Sequence, residues 1–266
     1  MLKYCNFASL SARRLSSTMS SASLIVAAKR AAACKAIDDQ LSPDFRYVGI
    51  GSGTTVVFCV ERIAELGKLG KLPVDRMYFV PTGYQSKQLL VEHKLHIIEI
   101  DQFSAGELDV VFDGADEIDE QLNCIKGGGA CLFQEKLVGV CSRKFVAVAD
   151  HTKVSRKLGE KWLAGIPIEV VPSAHTKVAM DLSKLGALSV NLRQGGKAKA
   201  GPCVTDNGNF ILDAHFGEID PSKVKQIHQQ IKLLVGVVET GLFDNCEIAY
   251  IGGPDGSSSV LTAKGY

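Results

Sequence analysis

Residues 46–66 have the sequence RYVGIGSGTTVVFCVERIAEL, and this stretch decides the predicted fold. Its apolar start at 46–50 predicts a short strand, and the helical pattern at 56–66 predicts the helix that follows. Between them, glycines at positions 49, 51 and 53 let backbone N–H groups approach an anion at the positive end of the helix dipole. We therefore predict a strand, a phosphate-binding turn and a helix; the alternative for the glycines is a tight structural turn.

The same order of strand, loop and helix recurs along the chain. Short β-branched or aromatic runs, separated by helical stretches, lie at residues 76–81, 96–100, 108–112 and 144–149. Such alternation predicts an α/β fold with a Rossmann-like, mostly parallel sheet and helices on both faces. Right-handed crossovers then place the loops that follow the strands along one edge of the sheet, where ligands bind.

The pattern changes after about residue 160. The predicted elements there are two strands flanking a helix, a hairpin and a second helix, at residues 166–171, 176–186, 188–192, 204–212 and 221–234. Asn207-Gly208 is the expected two-residue turn of the hairpin. This part of the chain therefore predicts a smaller α+β unit.

Three segments follow from this division. The apolar run 246–251 predicts a strand that rejoins the first sheet, so we assign a catalytic domain to residues 21–160 and 245–266 and an inserted α+β domain to residues 161–244. Residues 1–20 are expected to be a leader, because they contain Arg and Ser but no acidic residue, as in a mitochondrial transit peptide. The alternatives are a leader without function or translation that starts at Met19.

Composition excludes several classes of protein. The chain has 266 residues, 46% of them hydrophobic, which suffices for one or two folded domains. A net charge of +1 argues against a nucleic-acid partner, and no apolar stretch reaches the roughly 18 residues that would imply a membrane partner. The eight cysteines form no Cys-x-x-Cys pair and are expected to be reduced. The alternative for Cys131 is a thiol whose pKa is lowered by a helix N-terminus, although no His lies nearby in the sequence to act as its partner.

DGADEID, residues 113–119, directly follows the predicted strand 108–112. Carboxylates at the carboxyl end of a parallel strand point into the ligand crevice, where they accept hydrogen bonds from sugar hydroxyls or orient a proton-transfer group. Helix N-capping is the alternative for Glu117 and Asp119. No His and no ladder of Asn or carboxylate ligands follows at a suitable spacing, so we expect no metal site.

KGGGACLFQEK, residues 126–136, combines a cation, bare backbone and a carboxylate. Consecutive glycines would weaken a regular element by roughly 0.5–1 kcal/mol each relative to alanine, so close approach of a ligand explains them better. Lys126 is suited to neutralise an oxyanion, and Glu135 is either a base or a solvated helix residue paired with Lys136. A base, a cation and glycine N–H donors together are what proton abstraction α to a carbonyl requires.

Seven segments resemble, in order and spacing, the ribose-5-phosphate isomerases of the A type: GIGSGTT, PTGYQS, DGADEID, KGGGACLFQEK, VADHTK, IPIEVVP and VTDNGNFILD. The similarity extends from about Ser23 to the end of the chain. It implies a Rossmann-like domain with a smaller α+β domain and interconversion of D-ribose 5-phosphate and D-ribulose 5-phosphate without a cofactor, in the non-oxidative pentose phosphate pathway. It also implies a homo-oligomer, taken here as a dimer, and a cytoplasmic location, with organellar import by the leader as the alternative.

The same resemblance implies the roles of individual residues. Glu135 matches the base that moves a proton between C2 and C1 through an enediolate. Asp113 and Asp116 match acids that contact the sugar and assist ring opening. The residues matching the other substrate-binding groups are Lys126, Gly127, Gly128 and Gly129 at the oxyanion, Gly114 and Ala115 beside the sugar, and Ser52, Gly53, Thr54, Thr55 and Lys153 at the phosphate.

Two other functional classes are the alternatives. A non-catalytic sugar-phosphate sensor on the same scaffold would keep the glycines without needing Glu135, and would usually carry a DNA-binding module. A nicotinamide-dependent dehydrogenase is disfavoured, because Thr54 stands where the G-x-G-x-x-G fingerprint requires its third glycine.

Overall fold

The structure, a computed structural model, describes residues 20–262, so the predicted leader lies outside the described residues except for Ser20. The helices are α1 (Ser21–Gln40), α2 (Val56–Lys68), α3 (Tyr84–Glu92), α4 (Leu132–Cys141), α5 (His175–Lys184) and α6 (Val224–Lys232). The strands are β1 (Tyr47–Ile50), β2 (Tyr78–Pro81), β3 (Val110–Gly114), β4 (Glu117–Ile118), β5 (Cys124–Ile125), β6 (Phe145–Asp150), β7 (Ile166–Val170), β8 (Ser189–Leu192), β9 (Phe210–His215), β10 (Val237–Thr240), β11 (Leu242–Phe243), β12 (Ile248–Gly252) and β13 (Ser258–Thr262). Short 3-10 helices lie at Ile100–Gln102, His151–Lys153, Pro172–Ala174, Gly196–Ala198 and Pro221–Lys223.

Six strands form the main sheet, in the order β13-β12-β6-β3-β1-β2. All neighbours pair in parallel except β13, which adds an antiparallel edge to β12. Successive residues of β3 face opposite sides: Val110 and Phe112 pack with α1 and α2, whereas Val111 packs with α4. The strands are therefore buried on both faces, as expected of a parallel sheet covered by helices.

Helix α1 lies unusually close to β12 because small residues meet there. The hydroxyl of Ser20 caps the helix by accepting a hydrogen bond from the N–H of Ser23. Ala28, Ala32 and Ala36 are fully buried on one face of the helix. A Cβ at Gly252 would lie 1.8 Å from the carbonyl oxygen of Ala28, so this approach requires a glycine in the strand.

A second sheet of four antiparallel strands, in the order β10-β7-β9-β8, packs with α5 and α6 around its own apolar core. A third, small sheet has the order β11-β5-β4. Its strand β11 falls in the predicted insertion but pairs with β5 of the preceding segment, so backbone hydrogen bonds join the two predicted domains. The division into domains stays a prediction.

Two local predictions are wrong. Residues 96–100 form no strand in the described chain; Ile97 makes one isolated parallel bridge to Phe79, and a 3-10 helix begins at Ile100. The N–H and C=O of Phe79 face outward and bond to His96 and Ile98. The next outward-facing residue of β2 is Pro81, which has no N–H to continue the ladder.

The hairpin turn also differs from the prediction. Thr205 N–H donates to Asn209 O, and Gly208 N–H donates to Thr205 O. The loop therefore has three residues, 206–208, and Gly208 takes the left-handed conformation with φ +80°. A left-handed glycine at the third position is typical of three-residue hairpin loops.

Within residues 20–262, no helix combines the length and the apolar character that crossing a membrane requires.

Candidate active site

A cavity of about 460 Å³ opens at the carboxyl edge of the main sheet. The loops that follow β1, β2, β3 and β6 form its wall, together with the glycine segment that leads into α4. Every predicted site residue except Asp113 lines it: Ser52, Gly53, Thr54, Thr55, Gly114, Ala115, Asp116, Lys126, Gly127, Gly128, Gly129, Glu135 and Lys153. Residues far apart in the sequence thus meet in one place, as the carboxyl edge of a parallel sheet requires.

Lys126 is the centre of a buried ionic cluster. Its Nζ lies 2.9 Å from Oδ2 of Asp113 and 3.2 Å from Oε2 of Glu135, and donates a 2.5 Å hydrogen bond to Gly114 O. Burial alone would lower the pKa of Lys126, but the two carboxylates raise it. The lysine is therefore a permanent cation beside the cavity.

Asp113 lies behind this lysine and not on the cavity wall. Its side chain is fully buried, and Oδ1 accepts hydrogen bonds from the N–H groups of Gly114 at 2.7 Å and Ser52 at 3.2 Å. Burial and the neighbouring Glu135 raise the pKa of Asp113 to about 7. A Cβ at Gly51 would lie 1.9 Å from Oδ1 of Asp113, so this glycine of the first loop makes room for the carboxylate.

Glu135 is buried on the first turns of α4 and has both oxygens held. Ser52 Oγ donates to Oε1 at 2.5 Å, while Lys126 faces Oε2. Lys136 instead contacts Glu239 at 3.1 Å and donates to the carbonyls of Thr240 and Leu242. The alternative of a solvated Glu135 paired with Lys136 is therefore wrong.

The glycine segment curls around Asp116. The N–H of Gly128 donates to Oδ2 of Asp116 at 2.7 Å, and burial raises the pKa of this carboxyl. Gly127 has φ +99°, and a Cβ there would lie 2.8 Å from the side chain of Leu132. Backbone conformation and space both require glycine at this position.

The phosphate-side residues surround the N-terminus of α2. Thr55 is its N-cap residue, and the N–H of Gly53 donates to Oε1 of Gln85 at 2.8 Å. Lys29 of α1 donates from Nζ to Oγ1 of Thr54 at 2.8 Å, which adds a cation that the sequence prediction missed. No sequence signal identifies Lys29, because it lies in an alanine-rich helix 25 residues before Thr54.

The sequence prediction of site residues also did not include the outer rim of the cavity. It includes Tyr84 and Gln85 after β2, Cys131 before α4 and Asp206 of the hairpin loop. The N–H of Tyr84 donates to Oδ2 of Asp206 at 3.1 Å, so the rim joins the two sheets. Burial, followed by the charge of Glu135, raises the pKa of the Cys131 thiol to about 12, opposite to the lowering expected from its place before a helix.

Glu117 and Asp119 do not cap a helix, contrary to the alternative considered for them. Oε2 and Oε1 of Glu117 accept hydrogen bonds from the N–H groups of Gly159 and Lys161. Oδ1 of Asp119 accepts from the N–H groups of Gln121 and Asn123. Both carboxylates stabilise loops beside the small third sheet and do not line the cavity.

No group of three or more His, Cys, Asp or Glu side chains in the described part of the chain is arranged to hold a metal ion.

The fold and the site together define a class. A mostly parallel α/β sheet carries, at its carboxyl edge, a carboxylate held by a hydroxyl and a cation, next to a glycine loop at a helix N-terminus. This is the arrangement of an α/β enzyme with a polar cavity at the carboxyl edge of its sheet.

The chain belongs to the ribose 5-phosphate isomerase A family, described as Ribose 5-phosphate isomerase A (phosphoriboisomerase A), whose profile matches residues 78–256. It is 55% identical over 244 residues to the ribose-5-phosphate isomerase of Candida albicans, covering 91% of this chain and 99% of that protein. It is 53% identical over 240 residues to that of Saccharomyces cerevisiae, covering 88% of this chain and 91% of that protein.

Comparison with solved structures supports the same family. A D-ribose-5-phosphate isomerase in complex with phospho-erythronic acid superposes with a TM-score of 0.80 and 36% identity, covering 88% of this chain and 97% of that one. The ribose 5-phosphate isomerase of Plasmodium falciparum gives a TM-score of 0.81 and 30% identity, covering 90% of this chain and 100% of that one. The family and the Rossmann-like α/β fold predicted from the sequence are confirmed.

Proposed function

We propose that this chain interconverts D-ribose 5-phosphate and D-ribulose 5-phosphate by moving one proton between C2 and C1 of the open-chain sugar. The observation that carries the proposal is the buried Glu135 carboxylate at the cavity wall, held by Ser52 and Lys126. The relatives with more than half of their residues identical are isomerases by name, and the alternative of a non-catalytic sensor has no support among them.

The phosphate group is assigned to the loop at the N-terminus of α2. Backbone N–H groups and the helix dipole favour an anion there, and the hydroxyls of Thr54 and Thr55 supply further donors. Lys29 and Lys153 both line the cavity, so two cations are available for the two negative charges of a phosphate monoester. Binding at this end fixes the sugar without taking part in the reaction.

The reacting end is assigned to Glu135, Lys126 and the glycine segment. Glu135 removes the C2 proton of the aldose and returns it to C1 of the planar enediolate, while the hydroxyl proton passes from O2 to O1, so that the ketose has its carbonyl at C2. Lys126 and the N–H of Gly129 stabilise the negative charge that develops on the substrate oxygen. One carboxylate suffices for both proton transfers at carbon, because C1 and C2 are neighbours on one face of the intermediate.

The two aspartates receive different tasks. Asp116 lines the cavity, and burial raises the pKa of its carboxyl, so it is placed to exchange a proton with the sugar during ring opening. Asp113 is fully buried behind Lys126, so its assigned task is to orient that lysine and the N–H of Ser52. The resemblance implied that Asp113 contacts the sugar. We propose this indirect role instead, because Asp113 does not line the cavity.

The test is isomerisation of ribose 5-phosphate by the purified chain after exhaustive EDTA treatment, together with exchange of the C2 proton in D₂O. We expect turnover and exchange without added metal or nicotinamide cofactor. Binding of ribose 5-phosphate without either reaction would favour a sensor, and recovery of lost activity by a divalent ion would contradict the cofactor-free chemistry.

The dimer and the cytoplasmic location implied by the resemblance also stay proposals. Sedimentation velocity tests the dimer. Fusion of residues 1–18 to a fluorescent protein separates organellar import from cytoplasmic retention.

A further inference from the structure

Arg193 connects the second sheet to the glycine segment of the active site. It directly follows β8, and its Nη1 donates to the carbonyl oxygens of Gly127 at 2.8 Å and Gly128 at 3.2 Å. On its other side, Nε and Nη2 donate to the two carboxylate oxygens of Asp213 in β9, at 2.9 and 2.5 Å. Both side chains are largely buried, with 17% and 14% exposed.

These contacts reach two peptide units of the glycine segment that lines the cavity. The carbonyl of Gly127 shares a peptide unit with the N–H of Gly128, and the carbonyl of Gly128 shares one with the N–H of Gly129. A carbonyl that accepts a hydrogen bond polarises its peptide unit, so that the N–H becomes a stronger donor. A guanidinium does this more strongly than a neutral donor, because it carries a full charge.

The two N–H groups have different partners. Gly128 and Gly129 both line the cavity. The N–H of Gly128 donates to Asp116, whereas that of Gly129 has no acceptor among residues 20–262. Arg193 does not line the cavity, so any effect on the substrate passes through the backbone.

The segment also needs support from outside. Gly127 has φ +99° and Ala130 has φ +62°, a left-handed conformation that is uncommon for a residue with a side chain. Within the segment, one hydrogen bond of 3.0 Å, from Ala130 N–H to Gly127 O, closes the turn. The planar fork of Arg193, held in place by Asp213, fixes two successive carbonyls, which the single ammonium of a lysine cannot do with the same geometry.

We propose that Arg193, oriented by Asp213, is a positioning residue of the isomerase: it fixes and polarises the two peptide units between Gly127 and Gly129, so that the N–H of Gly129 stabilises the enediolate oxyanion while that of Gly128 holds Asp116. This inference rests on the proposed function, and it gives the smaller α+β unit an indirect part in catalysis, through the backbone of the glycine segment.

The test compares Arg193→Lys and Asp213→Asn with Arg62→Lys. Arg62 makes a similar two-pronged contact with Asp38, at 2.8 and 3.0 Å, but neither residue lines the cavity. We expect Arg193→Lys to lower kcat about tenfold, a fraction of the roughly 10²–10³-fold loss caused by removing an oxyanion donor. KM should stay within about threefold, because the phosphate contacts are intact. Asp213→Asn should lower kcat by a smaller factor, and Arg62→Lys should leave it unchanged.

Inhibitor binding supplies an independent readout. Phospho-erythronic acid, the ligand named for one solved relative, carries a carboxylate at the end where the enediolate would carry its charge. Its inhibition constant should rise in Arg193→Lys in parallel with the loss of kcat, while competition by inorganic phosphate stays unchanged.

Two outcomes would overturn the inference. If Arg193→Lys and Arg62→Lys lose melting temperature alike and both keep normal kcat, Arg193 is only structural. Equal weakening of phospho-erythronic acid and inorganic phosphate would likewise show a general disturbance of the cavity. Failure of the proposed function is distinguishable, because the unmodified chain would then not turn over ribose 5-phosphate.

Discussion

Ser52 donates a 2.5 Å hydrogen bond from its hydroxyl to Oε1 of Glu135, although the two residues lie 83 positions apart. The other oxygen of the carboxylate lies 3.2 Å from Nζ of Lys126. These two contacts orient the carboxylate, which the proposed mechanism uses as the base, before the substrate arrives. In that mechanism the first glycine loop serves the reacting end of the cavity as well as the phosphate end.

Replacement of Glu135 by Gln should abolish catalysis and preserve binding. The amide keeps the size of the side chain but removes the base, so turnover should fall by roughly 10²–10⁴-fold or more. Exchange of the C2 proton with D₂O should vanish in parallel, while calorimetry should still detect ribose 5-phosphate. Glu117→Gln is the matched control, because Glu117 is an equally buried glutamate outside the cavity. Near-normal exchange in Glu135→Gln, with exchange lost in Asp116→Asn, would move the base to Asp116.

Ser52 offers a graded test of base orientation. Ser52→Ala removes the donor to Glu135, and we expect kcat to fall about tenfold, the rate equivalent of roughly 1.4 kcal/mol. Ser52→Thr keeps the hydroxyl and should remain within about threefold of the unmodified chain. Steady-state kinetics of both variants decide the matter. If Thr impairs turnover as much as Ala does, space at this position and not the hydrogen bond is what matters.

Substitutions of the lysines at the proposed phosphate end should change KM more than kcat. Lys29→Ala and Lys153→Ala each remove one cation from the cavity, so KM should rise about tenfold or more with a smaller change in kcat. Competitive inhibition by inorganic phosphate should weaken in the same variants. Lys35→Ala is the control on the same helix, because Lys35 pairs with Asp39 and does not line the cavity. A variant that loses kcat alone would place its lysine at the reacting end.

Asp113 should make the stability of the protein depend on pH in a characteristic way. The pKa of its carboxyl is raised from 3.8 to about 7, so the native state retains a proton that the unfolded chain releases between those values. The free energy of unfolding of the unmodified chain, minus that of Asp113→Asn, should therefore fall as the pH rises from about 4 to about 7. Denaturant titrations of both proteins at several pH values measure this difference in the free energy of unfolding.

The control for this series is Asp220→Asn. Its partner Ser222 lowers the pKa of the exposed Asp220 carboxyl, so the corresponding difference should be flat over the same range and decline only at lower pH. If instead the Asp113 difference is also flat between pH 4 and pH 7 and declines only at lower pH, the attraction of Lys126 outweighs burial and the Asp113 carboxylate is ionised throughout.

The alternation of strands and helices along the first part of the chain was predictable because the relevant signals are local. The strand-to-helix turn at 49–55 and the strand at 110–114 each depend on residues within one short stretch. The absence of a strand at residues 96–100, beside the edge strand β2, was not predictable from such local signals. Whether that apolar run pairs as a strand depends on which groups of β2 face outward, and Pro81 interrupts them.

Local sequence patterns are enough to identify the chemical types in the site: a carboxylate turn after a buried strand, a lysine before three glycines, and a glutamate on the next helix. Which side chains become their partners depends on the tertiary structure. Sheet register and packing bring Glu135 to Ser52, and Arg193 to Gly127 across 66 residues. The packing of distant segments also places Asp113 behind Lys126 and brings Lys29 to the cavity wall. Short-range pattern cannot specify such pairs, because a side chain's neighbours across a sheet depend on how distant segments pack and not on the residues beside it in the chain.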